Sequence, residues 1–396
     1  MIEQMTYGDK IKVKAFIPLL KNISKLMTIE QIKALSNCSY HKFFVNGKDY
    51  LLMDSEKMKV VIGEDYNYIF DKTNGKFVRY GRTYEEDPEF SPLGGEILDI
   101  EVTTSCNGIN GQLCRFCYKS NTPNGENMSF ETFKNILDKQ GKQLTQVAFG
   151  IDSQATSNPD LWKMAQYCRS KGVIPNVTIA NISDEVADKL ALLMGAVACS
   201  RYDDKNVCYD SVKKLTDRGM KQINIHFMIC ESSYDACMET LRDIKTDPRL
   251  EKLNAIVMLS LKKKGRGIGF TSLSQDKYND IIKYCLENNI NFGMDSCGAK
   301  KFLDAVKDHP NYEDFKVVSE PCESTNFSQY IDVEGNFYPC SFCEGAEGWE
   351  QGIDVKKCSS FLKDIWYNDR VIQFRNRLNS NCNNCHKARE CIIYEV

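Results

Sequence analysis

Between residues 96 and about 300 the apolar positions change period repeatedly, from two to between three and four and back. Period two predicts strands over 97–104, 144–151, 173–180, 196–200, 222–229, 254–261 and 290–294. The longer period predicts helices over 129–140, 159–171, 183–194, 207–218, 233–245 and 275–288. Asn158-Pro159-Asp160 and Ser183-Asp184-Glu185 are helix starts, and Gly172 and Gly219 are stops. Strands alternating with helices build parallel βα units.

A parallel strand covered on both faces reads as one apolar run. Several of these strands are apolar on one face only. Ile223, Ile225, Phe227 and Ile229 oppose Asn224, His226 and Met228; Leu98, Ile100 and Val102 oppose Asp99, Glu101 and Thr103. Val177 and Ile179 oppose Asn176 and Thr178, while Gln146, Gly150 and Asp152 share a face. Solvated edge strands would alternate too, but would not need βα units throughout. The pattern predicts a partial barrel whose interior holds a polar ligand.

The flanks read differently. Residues 11–37 are predicted helical, with Thr28-Ile29-Glu30-Gln31 as a capping box. Residues 42–80 are predicted as hairpins, and Asp71 to Gly75 is a turn between apolar stretches. Near the other end, Asp332 to Tyr338 predicts a hairpin with Gly335 at its turn, and Phe361 to Leu378 a helix. Three parts follow: an α+β region over 1–95, the barrel over 96–310, and a Cys-rich region over 311–396.

Charge removes several functions. Lys and Arg total 51 against 54 Asp and Glu, so no global field draws the chain to nucleic acid or an anionic membrane. The longest apolar run, Leu190 to Cys199, is about half of what a bilayer span needs. The opening Met-Ile-Glu-Gln-Met is unlike a signal peptide, and a cytoplasmic location is expected.

Eighteen cysteines then call for an explanation. Without export, metal or redox chemistry is favoured over disulfides. Cys168, Cys199, Cys230 and Cys285 sit among apolar neighbours and read as core. The rest form two groups. Cys106, Cys114 and Cys117 share one loop after a strand, with seven and then two residues between them. Three thiolates can hold three corners of an iron–sulfur cube and leave one iron open. Structural zinc is the alternative, but it wants four ligands, and the nearest further donors are Cys168 and His226. The second group is Cys322, Cys340, Cys343, Cys358, Cys382, Cys385 and Cys391, for which a zinc ribbon is the alternative.

Cys106–x7–Cys114–x2–Cys117 with Phe116 inside the second arm resembles the radical S-adenosylmethionine superfamily. That family's commonest spacing is shorter in the first arm; here four more residues, Gly108 and Gly111 among the arm's members, can loop out. The resemblance implies a partial (β/α)6 TIM-like barrel with its site at the C-terminal strand ends. It implies one 4Fe–4S cluster whose open iron chelates S-adenosylmethionine, and a 5′-deoxyadenosyl radical that takes a hydrogen atom from substrate. Phe116 and Tyr118 would lie by the cofactor. Gly150 and Asp152 stand where the family often has Gly-Gly-Glu for the amino group. Ser200, with Arg201 beside it, would contact ribose or carboxylate, and Asn224 and His226 would line the lumen. Lys262 to Gly267 reads as a solvated basic loop, with a grip on an anionic substrate as the alternative. Asp295 would be a general base and Cys297 a hydrogen-atom donor, against the plainer reading of a turn cap and a buried thiol.

The C-terminal cysteines resemble the SPASM and twitch auxiliary-cluster extensions. Cys322–x12–Gly335–x4–Cys340 and Cys382–x2–Cys385–x5–Cys391 follow the fuller pattern, short of its last two cysteines. The smaller form would hold one auxiliary 4Fe–4S cluster on Cys322, Cys340, Cys382 and Cys385; Cys343, Cys358 and Cys391 allow a second. The family further implies a reductant such as flavodoxin or ferredoxin. It also implies a peptide substrate modified by oxidation, crosslinking or epimerisation, with residues 1–95 gripping a leader or capping the barrel. A small-molecule dehydrogenase is the alternative, and a non-catalytic iron–sulfur electron carrier is the alternative from another class.

Overall fold

The structure, a computed structural model, describes residues 23–380 and 391–393. The predicted helix over 11–37 lies partly outside them. Its described part holds a 3₁₀ turn at Ser24–Leu26 and helix α1 (Ile29–Ala34). The capping box is formed: Thr28 Oγ1 accepts from the Gln31 N–H at 3.2 Å, and Gln31 Oε1 accepts from the Thr28 N–H at 2.9 Å.

The expected hairpins are an antiparallel meander of β1 (Ser39–Val45), β2 (Lys48–Asp54), β3 (Met58–Gly63), β4 (Asn67–Asp71) and β5 (Phe77–Tyr80). The turn before β5 closes as its sequence dictates, with the Gly75 N–H donating to Asp71 O at 2.8 Å.

The second sheet is the barrel. Strands β6 (Ile97–Glu101), β7 (Gln146–Gly150), β8 (Ile174–Ile179), β9 (Ala196–Ser200), β10 (Ile223–Ile229), β11 (Ala255–Ser260) and β12 (Phe292–Met294) lie side by side in chain order, all parallel. The intervening helices are α2 (Phe130–Lys139), α3 (Leu161–Ser170), α4 (Asp184–Leu193), α5 (Lys205–Asp217), α6 (Tyr234–Thr246) and α7 (Gln275–Glu287). Ser129 and Ser183 cap α2 and α4 through their side chains. Helices α8 (Ala299–Ala305) and α9 (Tyr312–Val318) follow β12. The apolar strand faces pack against the helices: Leu98, Val147, Ile223, Ile225 and Ile256 have no measurable exposure, and neither do Cys168, Cys199, Cys230 and Cys285. Burying each such aliphatic side chain is worth about 2 kcal/mol. No helix among the described residues is long and apolar enough to cross a membrane.

The C-terminal region joins this sheet. β13 (Ser328–Ile331) pairs with β6 in parallel, and β14 (Asn336–Tyr338) and β15 (Ile353–Asp354) extend the sheet antiparallel. The β13–β14 hairpin has Gly335 at φ 88°, as its sequence predicts. The helix expected over 361–378 is broken. A π-helical turn over Phe361–Trp366 precedes α10 (Asp369–Ser380). Trp366 Nε1 donates to Ser91 O at 2.9 Å and the Tyr367 hydroxyl to Pro92 O at 3.0 Å. These tertiary bonds override local periodicity at the break.

The meander sits beneath the barrel. Its bonds reach residues just before the parallel strands: Tyr66 to Glu96, Tyr68 to Gln143 O and Lys59 to Leu144 O, at 2.6, 2.7 and 2.6 Å. The barrel's C-terminal mouth lies at the other end of those strands, so the described part of the N-terminal region does not cap it.

At this seam Arg79 donates to Glu96 at 2.7 Å and to Glu320 and Glu323 at 3.1 Å each. Its guanidinium lies 3.4 Å from the centre of the Phe327 ring. Burial still pushes the Glu96 carboxyl up to about 7, with Arg79 working against it. Removing one partner of a buried pair strands the other charge, at about 3 kcal/mol. Arg79→Met is therefore expected to lower urea stability by about that much, whereas Lys213→Ala at the exposed Lys213–Asp217 pair should leave it nearly unchanged. Equal losses in the two variants would refute the assignment.

Candidate active site

Loops from the C-terminal ends of β6, β9, β11 and β12 converge at the barrel mouth. The first carries Cys106, Cys114 and Cys117. Its long arm is a tight hairpin: Ile109 and Gln112 exchange backbone hydrogen bonds at 2.9 Å, with Asn110 at φ 51° and Gly111 at φ 81°. Positive φ at both central positions is the two-residue hairpin geometry. The added residues thus fold back on themselves. The Gly108 N–H donates to Cys106 Sγ at 3.3 Å, and Ser153 Oγ to Gly108 O at 2.7 Å.

The loop after β11 holds the cysteine loop from the other side. Arg266 donates from its backbone N–H to Cys117 O at 3.0 Å, from Nε to Cys114 O at 2.9 Å and from its guanidinium to Asn121 O at 3.1 Å. Gly265 makes the approach possible: a Cβ there would stand 2.4 Å from Tyr118 O. Lys264 Nζ donates to Ser341 O and Phe342 O at 3.3 Å each and to Glu344 O at 2.6 Å. Lys262 is 4% exposed and pairs with Asp295. The solvated basic loop expected here is instead tied down by the chain's own carbonyls and carboxylates.

Asp295 is fully engaged, accepting from Lys262 and from Ser260 Oγ at 3.0 Å. Cys297 follows it. Burial pushes its thiol up to about 12, against the pull of Lys262. Asp152 is likewise committed, accepting from the backbone N–H groups of Gln154, Thr156 and Ser157 at 3.0–3.1 Å. A carboxylate stapling its own loop has fewer lone pairs left for a ligand's amino group. Gly150 is exposed at its strand end. Ser200 hydrogen-bonds Tyr202, whose hydroxyl also reaches Cys114. Asn224 accepts from Asn254 at 2.8 Å, and His226 Nδ1 lies 3.4 Å from Thr178 Oγ1. Phe116 packs on Phe270 with ring centres 4.4 Å apart. Tyr118 is engaged by the C-terminal loop: its ring meets Phe342 at 4.4 Å and its hydroxyl bonds Ser341.

Of the C-terminal cysteines, Cys382 and Cys385 lie outside the described residues. Cys340 and Cys343 sulfurs are 3.5 Å apart. The hydrogen bond from Cys343 pulls the Cys340 thiol down, and the same contact pushes Cys343 up. The charges of Cys322, Cys340, Cys391 and Cys297 act on one another. Cys358 stands apart, near Lys139, Asp364 and Asp354. Among the described residues no three His, Cys, Asp or Glu side chains converge on one ion-sized point. The donor sets here are thiols, the ligands an iron–sulfur cube takes.

One group escaped the sequence reading. Lys119 pairs with Glu344 and with Glu101 at 3.1 Å, and donates to the Tyr330 hydroxyl at 2.9 Å. Tyr330 in turn reaches Glu101 at 3.2 Å and Glu344 at 3.1 Å. Glu101 was visible as a polar residue on a half-apolar strand; its partners, Lys119 on the cysteine loop and Tyr330 on β13, were not.

No family model matches the chain, and no curated protein matches it. Solved structures do. Streptococcus suis SuiB bound to the precursor peptide SuiA is similar at a TM-score of 0.60 and 14% identity, over 85% of this chain and 94% of that one. SuiB bound to S-adenosylmethionine is similar at 0.58 and 14%, over 85% and 93%. At that identity the likeness speaks for the fold. The chain has the partial TIM-like barrel, with a Cys-rich C-terminal region, that the resemblance to the radical S-adenosylmethionine superfamily implied.

His226 yields a pH prediction. Burial pushes its imidazole from the ordinary 6.5 down to about 4, with the charge of Asp295 pulling weakly the other way. Between those values the unfolded chain binds the proton and the folded one does not. Stability is therefore full above pH 6.5 and is lost as pH falls toward 4, with a ceiling of about 3 kcal/mol. Urea unfolding at neutral and mildly acidic pH should show this loss, reduced in His226→Gln. An identical acid loss in the variant would rule out His226 as its source.

Proposed function

We propose that this chain is a radical S-adenosylmethionine enzyme that modifies a peptide by hydrogen abstraction. The observation that carries the reading is the three-cysteine loop at the mouth of a barrel with polar lumen residues, in a fold shared along 85% of the chain with SuiB. That SuiB was solved with a precursor peptide and with S-adenosylmethionine supports the peptide class and the cofactor.

Cys106, Cys114 and Cys117 would hold the cluster at which S-adenosylmethionine is cleaved to a 5′-deoxyadenosyl radical. This chain's residues prepare the place. Arg266 fixes the carbonyls of two of the three cysteines, and Tyr202 and the Gly108 N–H donate to cysteine sulfurs. Such bonds tune a cluster's potential. The exposed Gly150 leaves room at the strand end for a ligand's close approach. The Lys262–Asp295 pair gives the mouth a fixed charge arrangement, and Ser200 is within reach of the same space. Cys322, Cys340, Cys343 and Cys391 would hold an auxiliary cluster, with Cys382 and Cys385 as further ligands. A small cytoplasmic reductant of the flavodoxin or ferredoxin type would supply the electron.

The test is anaerobic. Protein reconstituted with iron and sulfide and given S-adenosylmethionine and dithionite should form 5′-deoxyadenosine. The Cys106/Cys114/Cys117→Ala variant should form none while retaining about four irons. A deuterated peptide substrate should pass its label to deoxyadenosine. A fully loaded protein that forms no deoxyadenosine, with or without peptide, points to an electron carrier and sinks the proposal.

A further inference from the structure

The two cysteine loops touch. Cys117 is followed by Tyr118, and Cys343 is preceded by Phe342; the two rings pack at 4.4 Å between centres, tilted by 44°. From the sulfur of Cys117 to that of Cys343 the path thus runs through covalent bonds and a single ring-to-ring contact. These residues are more than 220 positions apart, and nothing in their local sequence requires them to meet.

Three further ties hold the contact. Lys119 binds Glu344 on the far loop and Glu101 on β6. Lys264 Nζ gathers the carbonyls of Ser341, Phe342 and Glu344, while its neighbour Arg266 holds those of Cys114 and Asn121. Lys262 places its ammonium 5.1 Å from the centre of the Phe342 ring. Both cysteine loops are therefore bolted to one five-residue segment.

We infer that the Tyr118–Phe342 contact is an electron bridge between the clusters of the two cysteine loops. The inference rests on the function proposed above and deepens it. One cluster is oxidised by one electron as the other is reduced by one; the two rings conduct without changing oxidation state, and no proton moves. Such a bridge suits an oxidative outcome. A substrate radical that loses a proton is strongly reducing, and its electron needs a route from the substrate cavity back to the cluster that started the turnover.

The experiment follows the electrons directly. Reconstituted protein is mixed with substoichiometric dithionite, frozen at intervals and examined by EPR, each cluster's signal being assigned from the triad→Ala and Cys340→Ala variants. In the native chain the two reduced signals should reach their final ratio in a fast phase. Phe342→Leu should slow this redistribution several-fold at unchanged iron content and unchanged midpoint potentials, and Phe342→Tyr should restore it. Tyr118→Leu should slow it likewise, which guards against misfolding of the first variant. Redistribution at the native rate in both Leu variants, with both clusters loaded, overturns the bridge. So does a chain that forms deoxyadenosine but binds no second cluster. Absence of deoxyadenosine from a chain whose two clusters exchange electrons through these rings sinks the proposed function and leaves the bridge standing.

Discussion

The mouth of the barrel is organised by the approach of the loop after β11 to the cysteine loop after β6. Gly265 lies so close to the backbone of Cys117 and Tyr118 that no side chain fits between them. That intimacy lets Arg266 spend its donors on the carbonyls of the cysteine loop and Lys264 on those of the C-terminal loop. Each cation is half-buried with partners, and each carbonyl so bound is withheld from water. Without this segment the triad loop would lose its support on that side, and the two cysteine groups would be joined through fewer links, the Lys119–Glu344 pair and the Tyr118–Phe342 contact among them.

The same segment explains how an open barrel is closed. The sheet runs without a break from β12 to β15, so β12 is one edge and the C-terminal strands are the other. Cys297, just after β12, is in electrostatic reach of Cys322 and Cys340, which flank β13 and β14. The cysteine-rich region thus spans the gap between the sheet's edges. The lumen is thus bounded partly by strands and partly by cysteine loops.

Beneath the barrel the arrangement is conservative. The N-terminal meander contributes buried tyrosines, Lys59 and Arg79 to the strand entrances, where Glu96 anchors both Tyr66 and Arg79. Aromatic packing and a desolvated ion pair make this a firm seam, far from the mouth. Any grip on a peptide by this region would therefore act from the opposite end of the strands, or along a sheet edge.

The sequence alone determined the elements and their kind. Period-two stretches such as Ile223 to Ile229 and helix signals such as Ser183 depend only on neighbours a few residues away, and such neighbours are always present. The Ile109–Gln112 hairpin turns on Asn110-Gly111, a local signal of the same kind, though the sequence reading took from this arm only that it can loop out. Tertiary structure decided what each charged group is for. Asp152 staples its loop, Asp295 is bound by Lys262, and the basic run at 262–266 holds backbone carbonyls. Each of these fates depends on a partner brought in by the fold. Tyr118 looked like a cofactor neighbour because of its place beside Cys117, and faces Phe342 because β13 joins β6. A side chain's period is a local property, whereas its hydrogen-bond partner is a property of the whole chain.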